Sequence, residues 1–306
     1  MNSIVVHDVG LRDGLQMERQ SVPTEKKIQW IEELIDAGVD IVQIGSFVHP
    51  GKVPQMKDTD ELFMHFAANG NRHHTVLSGL VLNEKGLERG LACGVELFCM
   101  GVSASETHSR KNTGMGVQEA TERIIAMAKL ALGEGTSVQV SVQSAFGCGY
   151  EGEIPAARVL GIVARYREAG LSTISLADTA GHATPGQVTQ LFSAIRAQGG
   201  ALEMACHFHN TYGLAMANVW AAMQCGVKYV EGSVAGLGGC PFTKTAGGNL
   251  CTEDFVHMLQ RMDARLDIDL DRIIDTAADM AGFFARELPG MVYKVGPVPA
   301  ISTPQE

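Results

Sequence analysis

The sequence predicts a closed (β/α)8 barrel, the TIM-barrel architecture, and three observations lead there. Short runs rich in β-branched residues alternate with longer stretches of helical period along the 306 residues, and strands alternating with helices imply a parallel sheet. About eight such units fit within roughly 250 residues, the usual span of this barrel. The residues with unusual chemistry fall after many different strand candidates, as in a barrel whose active site draws on several strand ends. An open doubly wound sheet is the runner-up, but no GxGxxG follows the first strand and no single reversal point collects the polar residues.

In chain order, strands are expected at 4–9, 39–45, 74–80, 95–102, 137–143, 173–176, 203–207 and 229–233, each a short apolar run rich in branched side chains. Helical period marks 24–37, 117–132, 155–169, 184–197 and 212–225 between them. Two of these open on helix-start signals: Thr24 follows Pro23, and Thr184 precedes Pro185. An additional helix is expected near 269–288, followed by a Pro-rich, loosely held tail at 297–306. No low-complexity linker divides the chain, so one domain is expected, with the barrel over about 4–262 and an extension over about 263–306.

With 45% hydrophobic and 19% charged residues, the chain has ample material for a core, which excludes a disordered or disulfide-framed protein. Lys and Arg number 24 against 34 Asp and Glu, a net charge of −10 that argues against nucleic-acid or anionic-membrane partners. Seven cysteines (93, 99, 148, 206, 225, 240 and 251) form no CxxC pair and point to a reducing cytoplasm. The chain opens on a strand-like run rather than a leader peptide, and no apolar run reaches the ~18–20 residues of a membrane span. Thirty-five glycines, many clustered as at 236–239, mark turns and places of close backbone approach.

The sequence HFHN at 207–210 carries the strongest chemical signal. Residues i and i+2 of a strand point to one face, so His207 and His209 project together as a pair of imidazole ligands. Alone, such a pair is more often structural. Asp13, after the first strand, and Asn249, after the last glycine cluster, can add a carboxylate and an amide oxygen. Two imidazoles, a carboxylate, an amide and water suit an octahedral Mg2+ or Mn2+, with Zn2+ or Co2+ also compatible. Arg12 beside Asp13 either steadies an enolate or forms a simple loop ion pair. The loop SVAGLGGCPF at 233–242 presents Cys240, a thiol able to move a proton or merely to pack.

Together with VGLRDGLQ at 9–16, SFV at 46–48, VPQM at 53–56, SASE at 103–106, SLADT at 175–179 and HFHNTYG at 207–213, these segments resemble the 3-hydroxy-3-methylglutaryl-CoA (HMG-CoA) lyase family of metal-dependent C–C lyases. The 233–242 loop resembles that family's own signature. The resemblance implies that Asp13, His207, His209 and Asn249 hold a divalent metal, that Arg12 stabilises an enolate, and that His207, Cys240, Asp178 and Glu253 take part in catalysis. It also places the segment 103–111, with Arg110 and Lys111, and the following Asn112 near the CoA moiety, with a solvated charged turn as the other reading of that stretch. One departure stands out: the family glutamate that faces the arginine is here Gln43, which keeps hydrogen-bonding capacity but not charge.

The expected reaction is therefore retro-Claisen cleavage of an HMG-CoA-like acyl-CoA to a keto acid and acetyl-CoA, with Asp178 or a group working through His207 as base. A lyase for a related hydroxyacyl-CoA, such as citramalyl-CoA or a longer 3-hydroxyglutaryl-CoA, is the alternative that Gln43 raises. A catalytically weak acyl-CoA- or metal-binding barrel ranks below both. A homo-oligomer, as a dimer, is expected from the family.

Overall fold

The computed structural model describes residues 4–69, 72–239 and 247–299. Eight parallel strands close into a barrel in sequence order: β1 (Val5–Asp8), β2 (Ile41–Ser46), β3 (Val76–Leu80), β4 (Leu97–Ser103), β5 (Ser137–Gln143), β6 (Thr173–Asp178), β7 (Glu203–Phe208) and β8 (Tyr229–Gly232). β8 pairs back onto β1, with Val5 opposite Tyr229 and Asp8 opposite Gly232, so no sheet edge is left open. The predicted fold class is the observed one.

The helices that cover the barrel are α1 (Thr24–Asp36), α2 (Thr59–Asn69), α3 (Glu84–Ala92), α4 (Glu106–Thr113), α5 (Val117–Gly133), α6 (Ala156–Glu168), α7 (Pro185–Ala197), α8 (Ala215–Gln224) and α9 (Thr252–Gln260). Each turns an apolar stripe inward: α1 buries Trp30, Ile31, Leu34 and Ile35, positions at helical spacing. α7 opens on a capping box in which Thr184 and Gln187 satisfy each other's backbone N–H groups, so the Thr-Pro signal was read correctly. The stretch around 103–111, readable as a solvated turn, is instead the helix α4, capped by Ser105, whose hydroxyl accepts from His108 N at 3.1 Å. The run of charged side chains hid a helix whose start is set by one hydroxyl.

β6 and β7 run to Asp178 and Phe208, beyond the last branched residues, because register pairing continues to the Asp178–Phe208 step. The extra C-terminal helix is α10 (Leu270–Phe284), followed by a short α11 (Val292–Val295) that the sequence did not suggest. α10 docks on α1. Trp30 Nε1 donates to Asp279 Oδ2 at 2.6 Å, and the indole meets the Phe283 ring edge-on at 5.5 Å.

Inside the barrel an apolar plug of Val5, Ile41, Val76, Leu97 and Tyr229 fills the N-terminal end of the strands. Further along the strands the interior turns polar, with His7 Nε2 and Ser78 Oγ 2.9 Å apart and Gln139, Ser175 and Glu231 buried together. Strands β4 and β5 approach closely at Gly101, where a Cβ would lie 2.0 Å from Ser141 Oγ. The six cysteines among the described residues are buried free thiols. No helix among those residues is long and apolar enough to cross a membrane.

Candidate active site

The site grows from the C-terminal ends of β1, β2, β7 and β8. After β1 the chain enters a π-helical turn, Gly10–Gly14, which projects Arg12 and Asp13 over the barrel mouth. Asp8 anchors that turn: its Oδ2 accepts from Val234 N at 2.7 Å and Thr252 Oγ1 at 2.6 Å, tying the first loop to the last. Arg12 Nη1 donates to Asp13 Oδ1 at 2.5 Å, and its Nε donates to Gln43 Oε1 on β2. The position that lacks the family glutamate is thus still a partner of Arg12.

His207 is the penultimate residue of β7 and His209 follows the strand, and their Nε2 atoms lie 3.0 Å apart. His209 Nε2 is 3.8 Å from Asp13 Oδ2. Asn249 bridges to His209 along the backbone, and its Nδ2 donates to Asp13 Oδ2 at 2.8 Å and to Leu237 O at 2.9 Å. Both amide hydrogens are therefore committed, which fixes the amide plane and leaves Oδ1 buried with no hydrogen-bond partner. Ligand atoms of Asp13, His207 and His209 all fall within 4.8 Å of one another. A carboxylate and two imidazoles, with an unpartnered amide oxygen on the side chain bonded to that carboxylate, are a donor set that fits a divalent cation. Two nitrogens 3.0 Å apart match neighbouring corners of an octahedron with bonds of about 2.1 Å.

The electrostatics follow from burial and neighbours. Burial pushes Asp13 up, but Arg12, His207 and His209 outweigh it and hold the carboxyl well below the ordinary carboxylate range. Burial, then His207, lowers His209 to about 4, so its imidazole is neutral. His207 moves the other way: burial opposes its charge, but Glu231 and Asp13 raise it. The two histidines thus stand in different electrostatic settings although two residues apart.

These groups border a cavity of about 220 Å³, also lined by Gln43, Asn112, Gln143 and His108. Among the described residues that line it, Arg12 is the one Lys or Arg. Asn112 therefore reaches the cavity, whereas its neighbours lie on the exposed side of α4. Arg110 is 3.7 Å from Glu106, and the Lys111 ammonium sits 4.9 Å from the Tyr150 ring. Asp178 and Glu253 do not line the cavity. On β6 the alternating residues Ser175, Ala177 and Thr179 do, and Asp178 points the other way, accepting from His182 N at 2.8 Å and Ala183 N at 3.0 Å. Glu253 lies on α9, buried, with Oε2 accepting from Ala235 N at 2.9 Å. Both carboxylates hold loops that frame the site. Cys240 lies outside the described residues.

Sequence reasoning passed over Glu231, Gln139 and Ser175. Glu231 stands in register with His207, its Oε2 is 3.1 Å from His207 Nδ1, and its Oε1 accepts from Gln139 Nε2 at 2.7 Å and Ser175 Oγ at 2.9 Å. The available signal was a lone carboxylate inside an otherwise uncharged strand, which is costly to bury without partners.

The HMGL-like family model matches residues 3–280 of this chain. The chain belongs to the HMGL-like family. It is 36% identical over 287 residues to hydroxymethylglutaryl-CoA lyase YngG of Bacillus subtilis, covering 94% of this chain and 95% of that protein. Against the mitochondrial hydroxymethylglutaryl-CoA lyase of Homo sapiens it is 38% identical over 272 residues, covering 89% and 83%. The HMG-CoA lyase structure from Bacillus subtilis superposes with a TM-score of 0.91 at 34% identity, over 96% of this chain and 98% of that one. An HMG-CoA lyase from Acinetobacter baumannii, in complex with coenzyme A and 3-methylmalate, superposes with a TM-score of 0.90 at 33% identity, over 99% and 98%. The chain is accordingly a carbon–carbon lyase of this family, built on the family's barrel.

Proposed function

We propose that this lyase cleaves an HMG-CoA-like 3-hydroxyacyl-CoA to a keto acid and acetyl-CoA. The observation that carries this reading is the meeting of Asp13, His207 and His209 with Arg12 at one cavity, with Asn249 hydrogen-bonded to Asp13. The likeness to hydroxymethylglutaryl-CoA lyases and the coenzyme A held by the Acinetobacter baumannii lyase support an acyl-CoA substrate.

Asp13, His207, His209 and Asn249 would hold the cation, Mg2+ or Mn2+ by the hardness of the two oxygens and the open coordination that remains. When bound, such an ion supplies a Lewis acid that lowers the pKa of a substrate hydroxyl. A base working through His207 takes the proton of the 3-hydroxyl, the oxygen's electron pair forms the ketone, and the C2–C3 bond breaks to leave the thioester enolate. Arg12, held in a fixed orientation by Asp13 and Gln43, presents its guanidinium to that enolate oxygen. Cys240 or His207 then gives a proton to C2, which completes acetyl-CoA, and the proton taken from the hydroxyl restores the donor. Asp178, with both oxygens taken by backbone N–H groups, acts by holding the loop after β6.

Purified protein with Mn2+ is expected to release acetyl-CoA and acetoacetate from HMG-CoA. Absence of cleavage with this and related hydroxyacyl-CoA esters, despite bound Mn2+, would instead identify a catalytically weak binding barrel. Gln43 favours a second reading, a related hydroxyacyl-CoA such as citramalyl-CoA, because the position bonds Arg12 without charge. A panel of esters assayed with wild type and Gln43→Glu separates the two: preference for HMG-CoA that grows in the variant marks Gln43 as the specificity switch.

A further inference from the structure

We propose that Glu231 is the positioning residue for His207, and that Gln139 and Ser175 act through it, so that the barrel floor sets the cation affinity of the mouth. This rests on the metal reading of the Asp13, His207 and His209 cluster. Glu231 stands directly across the β7–β8 pair from His207. Its Oε1 is pinned from two other strands, by Gln139 Nε2 of β5 at 2.7 Å and by Ser175 Oγ of β6 at 2.9 Å. That leaves Oε2, 3.1 Å from His207 Nδ1, close enough to pair although the ring N–H is not in line with it.

An ionised carboxylate has only acceptors to offer. It therefore selects the tautomer of His207 that carries hydrogen on Nδ1 and puts the ring lone pair on Nε2, the atom that faces His209 Nε2 at 3.0 Å. His207 and His209 differ in this respect, since among the described residues no hydrogen-bond partner stands at His209 Nδ1 and its Nε2 lies 3.8 Å from Asp13 Oδ2. The donors that pin Glu231 also fix which oxygen it can offer, because rotation about the carboxylate would break two hydrogen bonds at once. A buried charge on an interior strand, just beyond an apolar plug, is thereby explained by what it does to the next strand.

The test is Mn2+ binding to the full chain stripped with chelator, measured by calorimetry without substrate, together with 15N NMR of the histidine rings. Wild type should bind Mn2+ and His209→Ala should not. If wild type binds none, the metal reading fails and the tether with it. With that reading secure, Glu231→Gln should weaken Mn2+ by about 10–100-fold, Glu231→Asp should recover part of the loss, and Ser175→Ala and Gln139→Leu should each weaken it severalfold. The His207 ring of metal-free wild type should carry its hydrogen on Nδ1, and Glu231→Gln should shift it towards Nε2. Wild-type Mn2+ affinity and an unchanged ring signal in folded Glu231→Gln would overturn the proposal. Should that variant fail to fold, unchanged Mn2+ affinity in Ser175→Ala overturns it equally.

Discussion

Arg12 reaches its two partners, Asp13 and Gln43, through different nitrogens, so its guanidinium is held in one plane before any substrate arrives. A lysine there would supply charge without the fork. Arg12→Lys is expected to lower kcat by about 10²–10³ while leaving Mn2+ affinity within a few fold, checked by steady-state kinetics beside calorimetry. Glu253 illustrates the opposite situation, a carboxyl away from the cavity that burial pushes up to about 8. Its folded value lies above the unfolded one, so the native state holds a proton that the unfolded chain loses first. Its contribution to stability is full below about pH 4.5 and disappears as pH rises through about 8. Thermal melts should therefore show wild type losing stability across that window, and Glu253→Gln losing less, by a difference on the order of a few kcal/mol. Parallel curves for the two proteins would show that Glu253 is already ionised in the fold. Asp8, raised to about 6 by burial, titrates in both proteins, and its charge is one of the causes that raise Glu253.

At the scale of elements, the sequence placed all eight strands and the helices α1, α5, α6, α7, α8 and α10, because period and side-chain shape are local properties, but it left α2, α3, α4 and α9 unassigned. It was least informative where a single polar group sets the boundary. Ser105 starts α4 within a charged run, and Asp178 extends β6 past its apolar residues by accepting two loop N–H groups. The dock of α10 on α1 could not be read in advance, since Trp30 and Asp279 are 249 residues apart. Trp30→Ala removes a fully buried indole and its hydrogen bond and is expected to cost about 3–5 kcal/mol by denaturant unfolding. Gly101→Ala places a methyl 2.0 Å from Ser141 Oγ and should destabilise by at least about 1–3 kcal/mol in the same assay. A neutral result at Gly101 would mean that β4 and β5 can separate at little cost.

For the molecule as a whole, barrel closure brings together groups remote in sequence: Asp13 and Asn249 are 236 residues apart and share a hydrogen bond of 2.8 Å. A ligand that binds only this closed state stabilises it by mass action. At a hundredfold excess over its Kd, Mn2+ should add about 2.7 kcal/mol, a rise of several degrees in Tm that His209→Ala abolishes. An equal rise in that variant would place the binding elsewhere.

The sequence by itself determined the fold class, the family resemblance and the residue types that a divalent cation and an enolate require, since strand and helix period, His spacing and glycine runs are written in neighbouring residues. Only the tertiary structure decided which of those residues meet. It brought Asp13, His207 and His209 to one point, bonded Asn249 to Asp13, turned Asp178 and Glu253 away from the cavity, and set Glu231 behind His207. The physical reason is that side-chain direction at a strand end depends on register and closure, and those are set by pairing between segments that the chain order keeps apart.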